Sequence, residues 1–68
     1  MKKQVIIQSR ENSDYCYDAD EQKWYDFAKA NIIPFHTDRK NAESIVANLP
    51  QSEKNLAEIV EFDEALYA

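Results

Sequence analysis

The sequence predicts a small α+β domain: a mainly antiparallel sheet of three or four strands, with one amphipathic helix packed on one face, in the order β-β-β-α-β. Short β-branched or alternating apolar runs, each bounded by polar turn residues, recur at both ends of the chain. One stretch between them, from Thr37 to Leu49, switches to the spacing of a helix. A length of 68 residues allows one apolar core, so residues 1–68 are expected to form one domain, and the 44% hydrophobic fraction argues against disorder.

The elements follow in order. Lys3 to Ser9 contains Val5-Ile6-Ile7 between polar residues and reads as a strand. Arg10 to Ser13 is a polar turn, and Asp14 to Asp18 then alternates, placing Tyr15 and Tyr17 on one face and Cys16 on the other. Together these make a β-hairpin. Asp18-Ala19-Asp20-Glu21 is turn-like. Lys23 to Ala30 fits both periods, and we favour a short helical turn that drops Trp24 and Phe27 onto the sheet. Ile32-Ile33-Pro34-Phe35 belongs at an edge or strand end, because proline cannot donate to a ladder. Thr37 is the expected N-cap, Asp38 suits the first turn, and Ala42, Ile45, Val46 and Leu49 form the buried stripe. Pro50 closes that helix, residues 51–55 read as a loop, Leu56 to Phe62 as a last strand, and Asp63 to Ala68 as a frayed or short helical tail.

Composition narrows the chemistry. Glycine is absent, although a chain of average usage (about 7%) and this length would hold roughly five. Asn, Asp, Ser and Pro are therefore expected to make the turns, and the glycine-dependent phosphate loops of nucleotide enzymes are excluded. The apolar run after Met1-Lys2-Lys3-Gln4 is too short for a secretory leader, and no stretch approaches the ~20 apolar residues of a membrane span. A lone Cys16 precludes an internal disulfide and points to the reducing cytoplasm.

Cys16 and His36 are the one pair that offers a nucleophile and a base. A small buried hydrophobe and a histidine ahead of a helix is the stronger reading. One Cys and one His fall short of a zinc site, and the Asp14–Asp26 run lacks the Gly and bidentate Glu of a calcium loop. No cofactor, metal or catalytic site is expected.

The arrangement of charge is more informative. With 13 acids and 8 bases the net charge is −5, which repels nucleic acid and anionic lipid and favours basic protein surfaces. Residues 14–26 hold five acids and one Lys, and so do residues 53–64, while the rest of the chain is slightly basic. The two acidic segments are expected to share a surface if the last strand pairs next to the hairpin. Tyrosines interleaved with acids suit a protein interface, whereas Trp24 and Phe27 are better read as core.

A hairpin, a Trp24-bearing segment, Phe35 before a Thr37-capped helix, and a closing Glu58-Ile59-Val60-Glu61 strand make a layout that resembles small proteins of phages and mobile elements. In size and acidity it is similar to anti-CRISPR inhibitors. These share no signature motif, so the resemblance carries over no residue. It implies a cytoplasmic inhibitor that occupies a basic, nucleic-acid-binding surface of a host defence complex. From the charge pattern, the expected partner-binding residues are Asp14, Tyr15, Tyr17, Asp18, Asp20, Glu21, Asp26, Glu58, Glu61, Asp63 and Glu64. The alternative is a structural or regulatory homodimer that pairs through an exposed strand edge.

Overall fold

The structure, a computed structural model, describes residues 3–63. Five strands form one sheet around β1 (Gln4–Ser9), with β2 (Tyr15–Asp18), β3 (Lys23–Asp26), β4 (Thr37–Asp38) and β5 (Ala57–Glu61). Every pairing is antiparallel. Val5 faces Thr37 on one side and Glu61 on the other, and Gln8 lies between Cys16 and Glu58. Strands β2 and β4 therefore share one edge of β1, and β5 holds the opposite edge.

This position explains the β-branched run. Val5, Ile6 and Ile7 are all almost fully buried, so both faces of β1 are covered. Val5 and Ile7 point to a cluster with Tyr17, Ala42, Leu49 and Ala57, against which Trp24, Ile45, Val46 and Ile59 pack. Ile6 points the other way, to Cys16 and Phe27, with Tyr25, Val60 and Phe62 around them. The first side, which carries helix α2 (Arg39–Ala47), is the helix face. On the second side lies the stretch 31–36, whose His36 stacks on Phe62 and whose Pro34 is fully buried, so this side is the loop face.

The α+β architecture, the hairpin and the helix on one face agree with the sequence reading, and several details differ. Trp24 lies on strand β3 and not in a helical turn; helix α1 begins only at Phe27 and ends at Ala30. Cross-strand pairing decides this, because Tyr17 faces Trp24 and Cys16 faces Tyr25. The Tyr17 and Trp24 rings meet edge to face at 5.4 Å, a favoured aromatic geometry. Trp24 and Phe27 consequently serve opposite faces of the sheet.

The N-cap of α2 is Asp38 and not Thr37: the Asp38 carboxylate accepts from the Asn41 backbone N–H at 2.7 Å. Thr37 instead pairs with Val5 in β4, and its hydroxyl accepts from the Asn41 side chain. Ala42 and Leu49 are buried and Ile45 and Val46 half-buried, with Leu49 just past the Asn48 C-cap. Residues after Pro50 form helix α3 (Gln51–Leu56) where a loop was expected. It has no buried residue and no side-chain cap, so nothing in its composition announces it. Of the expected tail, residues 64–68 lie outside the described residues.

Without glycine, left-handed backbone falls on Asn31 (φ 55°) and Gln22 (φ 56°). Asn31 is the C-cap of α1, where asparagine tolerates this conformation. Gln22 closes the β2–β3 turn with no such allowance.

Candidate protein-binding surface

Strand alternation sorts the carboxylates by face. Asp14 and Asp18 share the Cys16 side of β2, and Glu58, across Gln8 from Cys16, shares it too. These belong to the loop face. Asp26, opposite Tyr15, and Glu61, opposite Val5, belong to the helix face.

The two groups differ in occupation. Asp26 caps α1 through the Lys29 N–H at 3.0 Å, and Glu61 sits 3.4 Å from the Lys3 ammonium in an exposed ion pair. Glu53 of α3 accepts from the Trp24 indole N–H at 2.9 Å. Among the described residues, Asp14, Asp18, Asp20, Glu21 and Glu58 form no ion pair. Asp18 is held in place by its own turn, its Oδ1 accepting from the backbone N–H groups of Asp20 (2.9 Å) and Glu21 (3.3 Å). Lys23 faces Asp18 across the hairpin, but its ammonium lies over the Tyr25 ring, 4.8 Å from the centroid. Its pKa is raised, first by Tyr25 and then by Glu21 and Asp18.

The last strand pairs with β1 of the β1–β2 hairpin, which brings Glu58 onto the loop face with Asp14 and Asp18 but leaves Glu61 on the helix face. The strand β1 separates Glu58 and Glu61 from β2 by two strand spacings, roughly 10 Å. Tyr17 is corrected as a surface anchor: it is 8% exposed and sits in the helix-face core, whereas Tyr15 on the same strand is exposed. Asp63 is exposed, and Glu64 lies outside the described residues.

Sequence reasoning missed the stretch after α1. Ile32 and Ile33 are 51% and 52% exposed, the only exposed large aliphatic residues among those described. The adjacent pair was visible in the sequence, but its exposure was not. Pro34 is fully buried between them and the half-buried Phe35. The imidazole of His36 stacks on Phe62 with centroids 4.2 Å apart, and its Nδ1 is 3.1 Å from the Pro34 carbonyl.

Cys16 is 1% exposed, and its thiol is pushed up to about 11, mainly by burial and secondarily by Asp14. It is protonated at neutral pH, and no hydrogen bond joins it to His36 among the described residues. At the opposite end of the sheet Lys3, Arg39 and Lys40 gather with Asp38 and Glu61 around a groove of about 400 Å³ floored by Val5. Three basic side chains and two acids thus line it. No helix among the described residues is long and apolar enough to cross a membrane. No protein-family model matches the chain, and comparison with curated proteins and with solved structures finds no match either.

Proposed function

We propose that the chain is a protein-binding inhibitor and not a catalyst, acting in the cytoplasm on the basic, nucleic-acid-binding surface of a partner. The observation that carries this reading is the set of carboxylates on the loop face and its turn, Asp14, Asp18, Asp20, Glu21 and Glu58, which form no ion pair among the described residues. Such groups would stand where phosphates otherwise sit, and the net charge of −5 would speed the encounter. The similarity in size, charge and layout to anti-CRISPR inhibitors makes a host defence complex the first class of target to test. The test is affinity capture from the host, followed by competition with DNA or RNA for the captured partner. Nucleic acid should displace the chain; a partner that binds both at once would overturn the reading.

The homodimer is a second reading, favoured by one observation: among the described residues β5 pairs only with β1 and leaves its outer edge open. Charge opposes it: each copy carries a net charge of −5, and self-pairing would bring the exposed Glu58 and Glu61 of both copies to one seam. Sedimentation separates the two readings, since only the dimer doubles the mass without a partner.

A further inference from the structure

We infer that the loop face binds an extended basic segment of a partner protein, one that sets an aliphatic or aromatic side chain against Ile33 with Lys or Arg beside it. This rests on the acidic-surface reading and adds to it a place and an apolar half.

Two grooves flank Ile33. One, of about 290 Å³, is lined by Gln4, Ile33, His36 and Phe62. The other, of about 470 Å³, runs from Ile33 and His36 over Pro34 and Phe35 to Asp18 and Asp20. Ile33 is thus a ridge between two depressions, one of which ends at paired carboxylates. Among the described residues, no Lys or Arg lines either groove. The ridge is held at both ends: Asn31 caps α1 through its N–H to the Phe27 carbonyl, and His36 is stacked on Phe62. Buried Pro34 fixes the middle. Adjacent exposed isoleucines on a backbone tied in this way present apolar area with little ordering left to lose on binding.

Charge selects the occupant. Asp18 is pre-positioned by two backbone N–H groups, and with Asp20 it offers acceptors to a guanidinium or ammonium. A second copy would bring the same carboxylates against themselves, on a chain of net charge −5. Nucleic acid is repelled by the same groups. A cationic segment carrying one apolar anchor matches both halves of the surface.

The test uses the full isotope-labelled chain and two synthetic peptides of equal charge, one of alternating Arg and Leu and one of alternating Arg and Ser. The Arg–Leu peptide should shift the amide resonances of Asp18, Asp20, Ile32, Ile33 and His36, and bind at least about tenfold more tightly than the Arg–Ser peptide. Ile33→Ser, at an exposed position, should erase that difference and leave Arg–Ser binding unchanged. Equal binding of both peptides would overturn this inference while the acidic-surface reading stands. Binding of neither at low salt would overturn both. Shifts confined to the Lys3–Arg39 end, or the same shifts produced merely by concentrating the free protein, would also overturn it, the latter by showing a second copy on the patch.

Discussion

On the helix face, Val5, Ile7 and Ala57 are closed over by α2, and the acids there are spent on structure, Asp26 as a cap and Glu61 with Lys3. On the loop face, Ile6, Cys16 and Phe27 are covered by irregular chain, whose cover leaves Ile32 and Ile33 outside and whose neighbouring acids have no ion-pair partner among the described residues. A helix satisfies its own backbone and can present one apolar stripe inward. A loop inserts single side chains, here Pro34, and exposes their neighbours. The same sheet thus has one side closed by a helix and one whose cover leaves apolar and acidic groups exposed.

The largest expected effect tests this division directly. Ile7→Ala, in the helix-face cluster, should cost about 2–5 kcal/mol, comparable to the whole stability of a domain this small. Ile33→Ala should stay within about 0.5 kcal/mol although it removes a similar side chain. Urea unfolding of the two variants checks the pair, and equal losses would show that the loop face contributes as much to stability as the helix face.

Cys16 sharpens the comparison from the loop side. Its folded pKa lies above that of the unfolded thiol, so between the two values the unfolded chain releases a proton that the folded chain keeps. The stabilisation is present in full below the unfolded value of about 8.5 and is lost as pH rises towards about 11. Stability measured from pH 8 to 11 should fall more steeply for the parent than for Cys16→Ala. Parallel curves would mean that the thiol is open to water and the loop cover is loose.

A smaller effect, of opposite sign, is expected at the β2–β3 turn, where one end packs beside α2 and the other beside the loop. Gln22 lines a depression with Tyr17 and Leu49, and Asp18 and Asp20 border the groove at Ile33. Gln22→Gly should stabilise by roughly 0.5–1 kcal/mol by relieving left-handed backbone, in thermal or urea unfolding. Asn31→Gly should change little, because asparagine already accepts that conformation.

How much of this the sequence revealed depended on whether local chemistry or long-range pairing decided the outcome. Val5-Ile6-Ile7 was legible as a β-branched run between polar residues, and the Ala42–Leu49 stripe because it carries the helical period. Trp24-Tyr25 was not, since aromatics at that spacing suit helix and strand alike until Cys16 and Tyr17 supply partners. Helix α3 was hidden because it buries nothing. The acids could be counted but not sorted: only the β1–β5 register places Glu58 on one face and Glu61 on the other. The exposure of Ile32 and Ile33 follows from Pro34 taking the buried position, which no local pattern specifies.

Charge reversal carries the functional side of the comparison. Asp18→Lys with Asp20→Lys reverses the turn beside the loop face, and Glu61→Lys with Asp63→Lys reverses the far edge. At the exposed Asp20, Glu61 and Asp63 such substitutions change stability by about 0.5 kcal/mol or less. Asp18→Lys costs somewhat more, because it gives up two turn hydrogen bonds and sets a second Lys opposite Lys23. In the second pair Glu61 loses only an exposed contact to Lys3, the sort of ion pair that contributes little. Binding should separate them. For a captured basic partner, the first pair should slow association strongly at low salt, because it removes two carboxylates and adds two cations at the groove beside Ile33. Raising salt should shrink the deficit as the Debye length falls to about 8 Å at physiological strength. The second pair should lower the on-rate only through the change in net charge, and by a smaller factor. Association rates across a salt series, for both double variants and the parent, measure this. Equal slowing by the two pairs would mean that the whole molecule's field attracts the partner, and the loop face would lose its claim to be the contact.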